Sequence, residues 1–190
     1  MKINYKEIKT KSNLLSLLRL FLAIPLWLLL DHFDSETARY VTFAVCVFGA
    51  ITDILDGYLA RKFNEVTELG KIIDPLADKV AIGIIIIKLY LIGQISSTYF
   101  LLIIGRDALI FIGGIFVTRI VGRVLPSNIL GKITVINIGL VILLIMLDVN
   151  RHIWLFKGLY YLSILLVFVS FAAYVYRAIE FIKKKDYGTI

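Results

Sequence analysis

The chain has 190 residues, 59% hydrophobic and 18% charged, with a mean hydropathy of +0.88. It is too apolar for an ordinary soluble domain, and its length suits one compact bundle at roughly 20 residues per helical crossing. The excess of 21 Lys and Arg over 14 Asp and Glu, a net charge of +7, fits basic cytoplasmic loops better than a nucleic-acid surface, so no nucleic-acid partner is expected. The single cysteine, Cys46, excludes an intramolecular disulfide.

The opening "MKINYKEIKTK" reads as a short amphipathic interfacial helix within a juxtamembrane segment over 1–12, with Ile3, Tyr5 and Ile8 toward lipid and lysines toward headgroups. Six apolar segments follow, at about 14–30, 39–60, 75–93, 98–119, 128–148 and 153–179, each near the length of a helical span. The first is followed by "DHFDSET" instead of a small-residue cleavage site, so it is expected to be retained. The period-2 alternation of a barrel is absent, and lipid leaves helices as the remaining way to satisfy the backbone. The predicted fold is all-α: an integral membrane six-transmembrane-helix bundle, one domain over 1–190. Lys2, Lys6, Lys9 and Lys11 precede the first span; Arg61, Lys62 and Lys71 follow the second, Arg119 and Arg123 the fourth, and Lys183, Lys184 and Lys185 the sixth. Positive loops stay inside, so both termini and the loop after the second span are expected in the cytoplasm.

That loop is flanked by "TDILDGYLARKFNEVTELGKIIDPLADK", residues 52–79. At 100° per residue, Asp53, Asp56, Gly57, Ala60 and Arg61 fall within roughly 140° of one helix face. Asp74 before Pro75 reads as an N-cap and first helical residue, which places Asp78 one turn further in. Four crowded carboxylates raise one another's pKa unless a positive group sits among them, and oxygen-only ligands favour a hard cation such as Mg²⁺ or Mn²⁺ that also takes phosphate oxygens. Gly57 costs about 1 kcal/mol relative to alanine in a helix, which points to close approach of a ligand to the backbone. Arg61 is suited to neutralise phosphate or pair with a carboxylate.

This stretch resembles the signature of the CDP-alcohol phosphotransferase family, Asp-x-x-Asp-Gly-x-x-Ala-Arg, eight residues, Gly, three residues, Asp, three residues, Asp. Its eight fixed positions all match, across 26 residues from Asp53 to Asp78. The resemblance implies an enzyme of phospholipid biosynthesis in a bacterial-type cytoplasmic membrane. It would transfer a phosphatidyl group from CDP-diacylglycerol to an alcohol and release CMP. It also implies Asp53, Asp56, Asp74 and Asp78 as ligands of Mg²⁺ or Mn²⁺, with two ions expected, and Asp78 as general base. Gly57, Ala60, Arg61 and Gly70 would line the nucleotide and diphosphate pocket, and the protein would be a homodimer.

For the acceptor, "NLLSLLRLFLAIPLWLLL" resembles the first span of bacterial phosphatidylglycerophosphate synthases through Asn13, Leu15, Ser16, Arg19 and Pro25. "LPSNILGKIT" resembles a segment of the same enzymes and of the related cardiolipin synthases through Gly131 and Lys132. Arg19, Arg119, Arg123 and Lys132 are the candidates for the phosphate of glycerol 3-phosphate. Many of those synthases carry a second arginine eight residues after the one in the fourth span, where this chain has Gly114. Phosphatidylglycerol, inositol phosphate and serine therefore stay open as acceptors. Arg106 and Asp107, inside the fourth span, are expected to point into the bundle and to have partners there. A metal-ion transporter is the more remote reading, since its carboxylates belong near the bilayer midplane and these lie at a predicted cytoplasmic rim. His32 and His152 fall in loops on the other side and are not expected to be catalytic.

Overall fold

The computed structural model describes residues 11–62, 70–122 and 128–186, with side chains at 18, 20–52, 55, 79–122 and 128–183. All of its regular structure is helical: α1 Lys11–Asp31, α2 Glu36–Lys62, α3 Gly70–Leu91, α4 Ser97–Val121, α5 Ile129–Met146 and α6 Trp154–Asp186. Each helix contains most or all of one expected apolar segment. Three of them, over Ser97–Val121, Ile129–Met146 and Trp154–Lys183, are long and apolar enough to cross a membrane, among the described residues. The expected interfacial segment at 1–10 lies outside the described residues. The chain divides into two compact units, Met1–Gln94 and Ile95–Ile190.

In the first unit α1 packs against both α2 and α3. Its buried stripe is Ala23, Leu26 and Leu30, while Phe21, Ile24 and Leu28 on other faces are exposed apolar side chains, as the period of 3.6 residues requires of a helix packed along one face. From α3 the buried residues are Ala81, Ile85, Ile86, Lys88 and Leu89. Lys88 pairs with Asp31 at the end of α1, and its Nζ lies 4.4 Å from the centre of the Trp27 ring. Thr42 donates to the Ala38 carbonyl at 2.7 Å and Thr52 to that of Gly49 at 2.8 Å. Both hydroxyls are thus satisfied within α2, the usual solution where water is absent.

In the second unit α6 packs against both α4 and α5. Ser96 caps α4 by accepting from the Tyr99 N–H at 3.2 Å. Gly122 ends the helix at φ +79° and donates to the Thr118 carbonyl at 2.8 Å, a left-handed stop that glycine takes without strain. Asn128 caps α5 by accepting from the Gly131 N–H. Helices α4 and α6 run parallel in one register, with a constant offset of 64 residues: Ser96 to Tyr160, Tyr99 to Ser163, and Arg106 to Ser170. Thr134 of the antiparallel α5 donates to the Leu130 carbonyl at 2.7 Å and reaches the Leu166 carbonyl of α6 at 3.3 Å.

The buried Tyr99 hydroxyl meets Ser163 Oγ at 2.8 Å, and Ser163 also donates to the Tyr160 carbonyl at 2.6 Å. Tyr99→Phe keeps the ring and removes this interhelical bond. The expected loss is about 0.5–1.5 kcal/mol, read as a lowered thermal midpoint in detergent with helical content unchanged.

Candidate active site

The eight signature positions fall on two helices of the first unit. Residues 53–61 occupy the closing turns of α2 and 70–78 the opening turns of α3. The side chains of Asp53, Asp56, Gly57, Ala60, Arg61, Gly70, Asp74 and Asp78 lie outside the described residues, so their placement is known at the level of helix position. One expectation is corrected: α3 starts at Gly70, so Asp74 stands inside the helix and does not cap it. Pro75 removes a single ladder N–H, and the residues before it continue the helix. Asp74 and Asp78 remain one turn apart on one face. Among the described residues no group of three or more His, Cys, Asp or Glu side chains clusters as a metal site.

Of the acceptor candidates, the Arg19 side chain and all of Arg123 lie outside the described residues. Arg119 is exposed in the last turn of α4, and Lys132 is exposed in the first turn of α5. They are not brought together. The first residues of α5 stand against Arg106: a Cβ at Gly131 would lie 3.3 Å from its Nη2. Arg119 is thirteen residues further along α4, which at 1.5 Å per residue is roughly 20 Å. Helix α5 thus begins low, and the C-terminal parts of α4 and α6 rise past its N-terminus.

Arg106 is the described cation at the centre of this unit. Its side chain is 9% exposed; Nη1 donates to Asp107 Oδ1 at 2.6 Å and Nη2 to Ser170 Oγ at 3.1 Å. The expected inward orientation and partners are present. Its Nε is buried without a hydrogen-bond partner among the described residues, as are Tyr174 Oη and Asn137 Oδ1. Buried polar atoms left unmatched cost about 1–3 kcal/mol each. The opening of α5 adds the positive end of a helix dipole, which favours an anion.

Tyr174, Ser170 and Asn137 were not singled out by the sequence reading. The signal for Ser170 was available: Ser163 and Ser170 are seven residues apart in an otherwise apolar helix, hence on one face, and both are fully buried. Tyr174 explains the glycine pair. A Cβ at Gly113 would meet its Cε1 at 3.3 Å and one at Gly114 its Oη at 3.2 Å, so the tyrosine ring occupies the space beside α4 that a side chain at 114 would need. Gly139 faces open space. His32 and His152 are exposed and lie in the α1–α2 and α5–α6 loops.

A shallow groove of about 790 Å³ runs along the same end of this unit. It is lined by Ile129, Leu130, Val169, Ala172, Ala173 and Tyr176, with Asn128 and Arg177 as its polar members.

The description "CDP-alcohol phosphatidyltransferase" matches residues 9–176, most of the chain. A protein of Aquifex aeolicus named CDP-diacylglycerol--glycerol-3-phosphate 3-phosphatidyltransferase is 36% identical over 179 residues, 91% of this chain and 98% of its own length. A protein of Rickettsia bellii with the same name is 41% identical over 88 residues, 46% of this chain and 49% of its own length. A Mycobacterium tuberculosis protein named probable phosphatidylglycerophosphate synthase is 33% identical over 144 residues, 72% of this chain and 68% of its own.

At Gly131 a substituent is poorly tolerated, because a Cβ would sit 2.8 Å from Asn128 Oδ1 as well as near Arg106. Gly131→Ala is expected to displace the α5 cap and cost about 0.5–2 kcal/mol, measured as a fall in thermal midpoint. An unchanged midpoint would contradict the geometry of the cap.

Proposed function

The chain belongs to the CDP-alcohol phosphatidyltransferase family, and from that premise we propose that it transfers the phosphatidyl group of CDP-diacylglycerol to glycerol 3-phosphate, giving phosphatidylglycerophosphate and CMP. The observation that carries the choice of acceptor is the name borne by a relative 36% identical over 98% of its length.

The donor set fits a hard divalent cation: four carboxylates on two helices, with oxygen atoms as the ligands offered. Asp53, Asp56, Asp74 and Asp78 would hold Mg²⁺ or Mn²⁺, two ions in this reading, in keeping with a family that generally depends on divalent metal. When bound, the metal supplies charge that offsets the diphosphate and the leaving CMP. Arg61 neutralises a phosphate, and Gly57, Ala60 and Gly70 leave room for the nucleotide to approach the helices. Asp78 takes the proton from the acceptor hydroxyl at a carboxylate oxygen. The freed oxygen forms its bond to the phosphorus that carries diacylglycerol as the bond to CMP breaks, with no covalent enzyme intermediate. Arg19, Arg119, Arg123 and Lys132 are the candidates for neutralising the acceptor phosphate. The chain is read as crossing the membrane six times as one domain, with both termini and the site in the cytoplasm, and as forming a homodimer.

The test is CMP release by the purified protein supplied with CDP-diacylglycerol and Mg²⁺ or Mn²⁺, with glycerol 3-phosphate, phosphatidylglycerol, inositol 1-phosphate and serine offered separately. Release with glycerol 3-phosphate alone is expected; release with another acceptor instead would overturn the assignment. Asp78→Asn is expected to lower kcat by about 10²-fold or more while CDP-diacylglycerol still binds. Near-normal turnover would remove Asp78 as the base.

A further inference from the structure

We propose that Lys88, held by Asp31 and Trp27, is a positioning residue: it fixes the rotation and height of α3 on α1 and so sets where Asp74 and Asp78 stand. The proposal rests on the reading of these aspartates as metal ligands.

Apolar packing alone selects the rotation of α3 poorly. Ile84, Ile85, Ile86 and Ile87 are consecutive, and at 100° per residue four identical side chains present the same surface around most of the helix. In a membrane the usual hydrophobic drive between helices is also missing, since lipid is as apolar as isoleucine. A slip of one residue would exchange one isoleucine for the next at little cost. It would also turn the aspartates by 100°.

Lys88 breaks this degeneracy. It is 6% exposed, pairs with Asp31, and stands 4.4 Å from the Trp27 ring centre. An ammonium rotated out of this seat would lose its carboxylate and its aromatic face together, a large penalty away from water. Trp27 and Asp31 are four residues apart, on one face of α1, so both hold the lysine from the same helix.

The connection to the site is the register of α3. Asp74, Asp78, Ala81, Ile85 and Lys88 advance in steps of four and three residues, which keeps them within roughly 80° of one line along the helix. Ala81 and Ile85 on this line are buried, 9% and 7% exposed. Fixing the lysine end of the line therefore fixes the azimuth of the aspartate end. Asp31 is itself about half exposed at the end of α1, so the pin lies at the end of α3 remote from the aspartates and does not touch the metal.

The readout is direct Mn²⁺ binding to the full chain in detergent, from loss of the free-ion electron paramagnetic resonance signal, alongside kinetics and thermal midpoints. Lys88→Met preserves volume and removes the charge; it is expected to weaken Mn²⁺ binding about tenfold, the effect typical of groups that orient metal ligands, with KM for glycerol 3-phosphate within twofold of the parent. Lys88→Arg keeps the ion pair and the aromatic contact and is expected to bind Mn²⁺ normally. A Lys88→Met protein with unchanged Mn²⁺ affinity, whatever its thermal midpoint, overturns the proposal by making the pair purely structural. Equal loss in Lys88→Arg overturns it too. Absence of Mn²⁺ binding by the unsubstituted protein, or binding that survives Asp74→Asn, overturns the metal reading and the proposed role of the pin with it.

Discussion

Polar side chains carried into apolar helices must find partners inside the protein, because lipid offers none. In the first unit a lysine near the end of α3 is seated on a carboxylate and an indole of α1. In the second, an arginine in the middle of α4 is held by its neighbour Asp107 and by a serine of α6. Threonine hydroxyls that lack a cross-helix partner fold back onto their own helix carbonyls. Where apolar contacts are interchangeable, these polar contacts define registers. The constant offset of 64 residues between α4 and α6 is written by three side-chain pairs, each of which would be lost by a slip of a single residue.

The same constraint makes the exceptions informative. Arg106 Nε, Tyr174 Oη and Asn137 Oδ1 are buried without partners among the described residues, in a unit that elsewhere satisfies its hydroxyls within one or two bonds. Two of them lie on α4 and α6, the helices that rise past the start of α5. Lowering the α5 N-terminus to the level of Arg106 brings a helix dipole, an asparagine cap and Lys132 toward a buried guanidinium, which a bundle of equal-length helices would not do.

The signature was legible because its chemistry depends on spacing, and spacing is all that a sequence preserves without distortion. The six helices were legible through their apolar lengths, with ends displaced by a few residues. Asp-Pro is a strong local signal for a helix beginning, yet the four residues before Asp74 are already helical. Arg106 and Asp107 were visible as charges out of place, but the partner of Arg106 on α6 depends on the parallel register of two helices distant in sequence. Tyr174 was invisible for a related reason. One tyrosine among ten acquires meaning only when its ring edge is found against Gly113 and its hydroxyl against Gly114.

Charge balance bears on the acceptor. Arg106 is already paired with Asp107, so the guanidinium and its neighbour are together neutral. What they offer a guest is an N–H in a fixed direction. The surplus positive charge near the start of α5 comes from Lys132 and the helix dipole, and a guest that is neutral or zwitterionic would leave it uncompensated at the edge of an apolar bundle. A phosphate group matches that surplus and brings several acceptor oxygens to donors that lack them. A small phosphorylated alcohol is therefore a better fit to this unit than serine. The same argument admits inositol phosphate, which differs from glycerol 3-phosphate in bulk more than in charge.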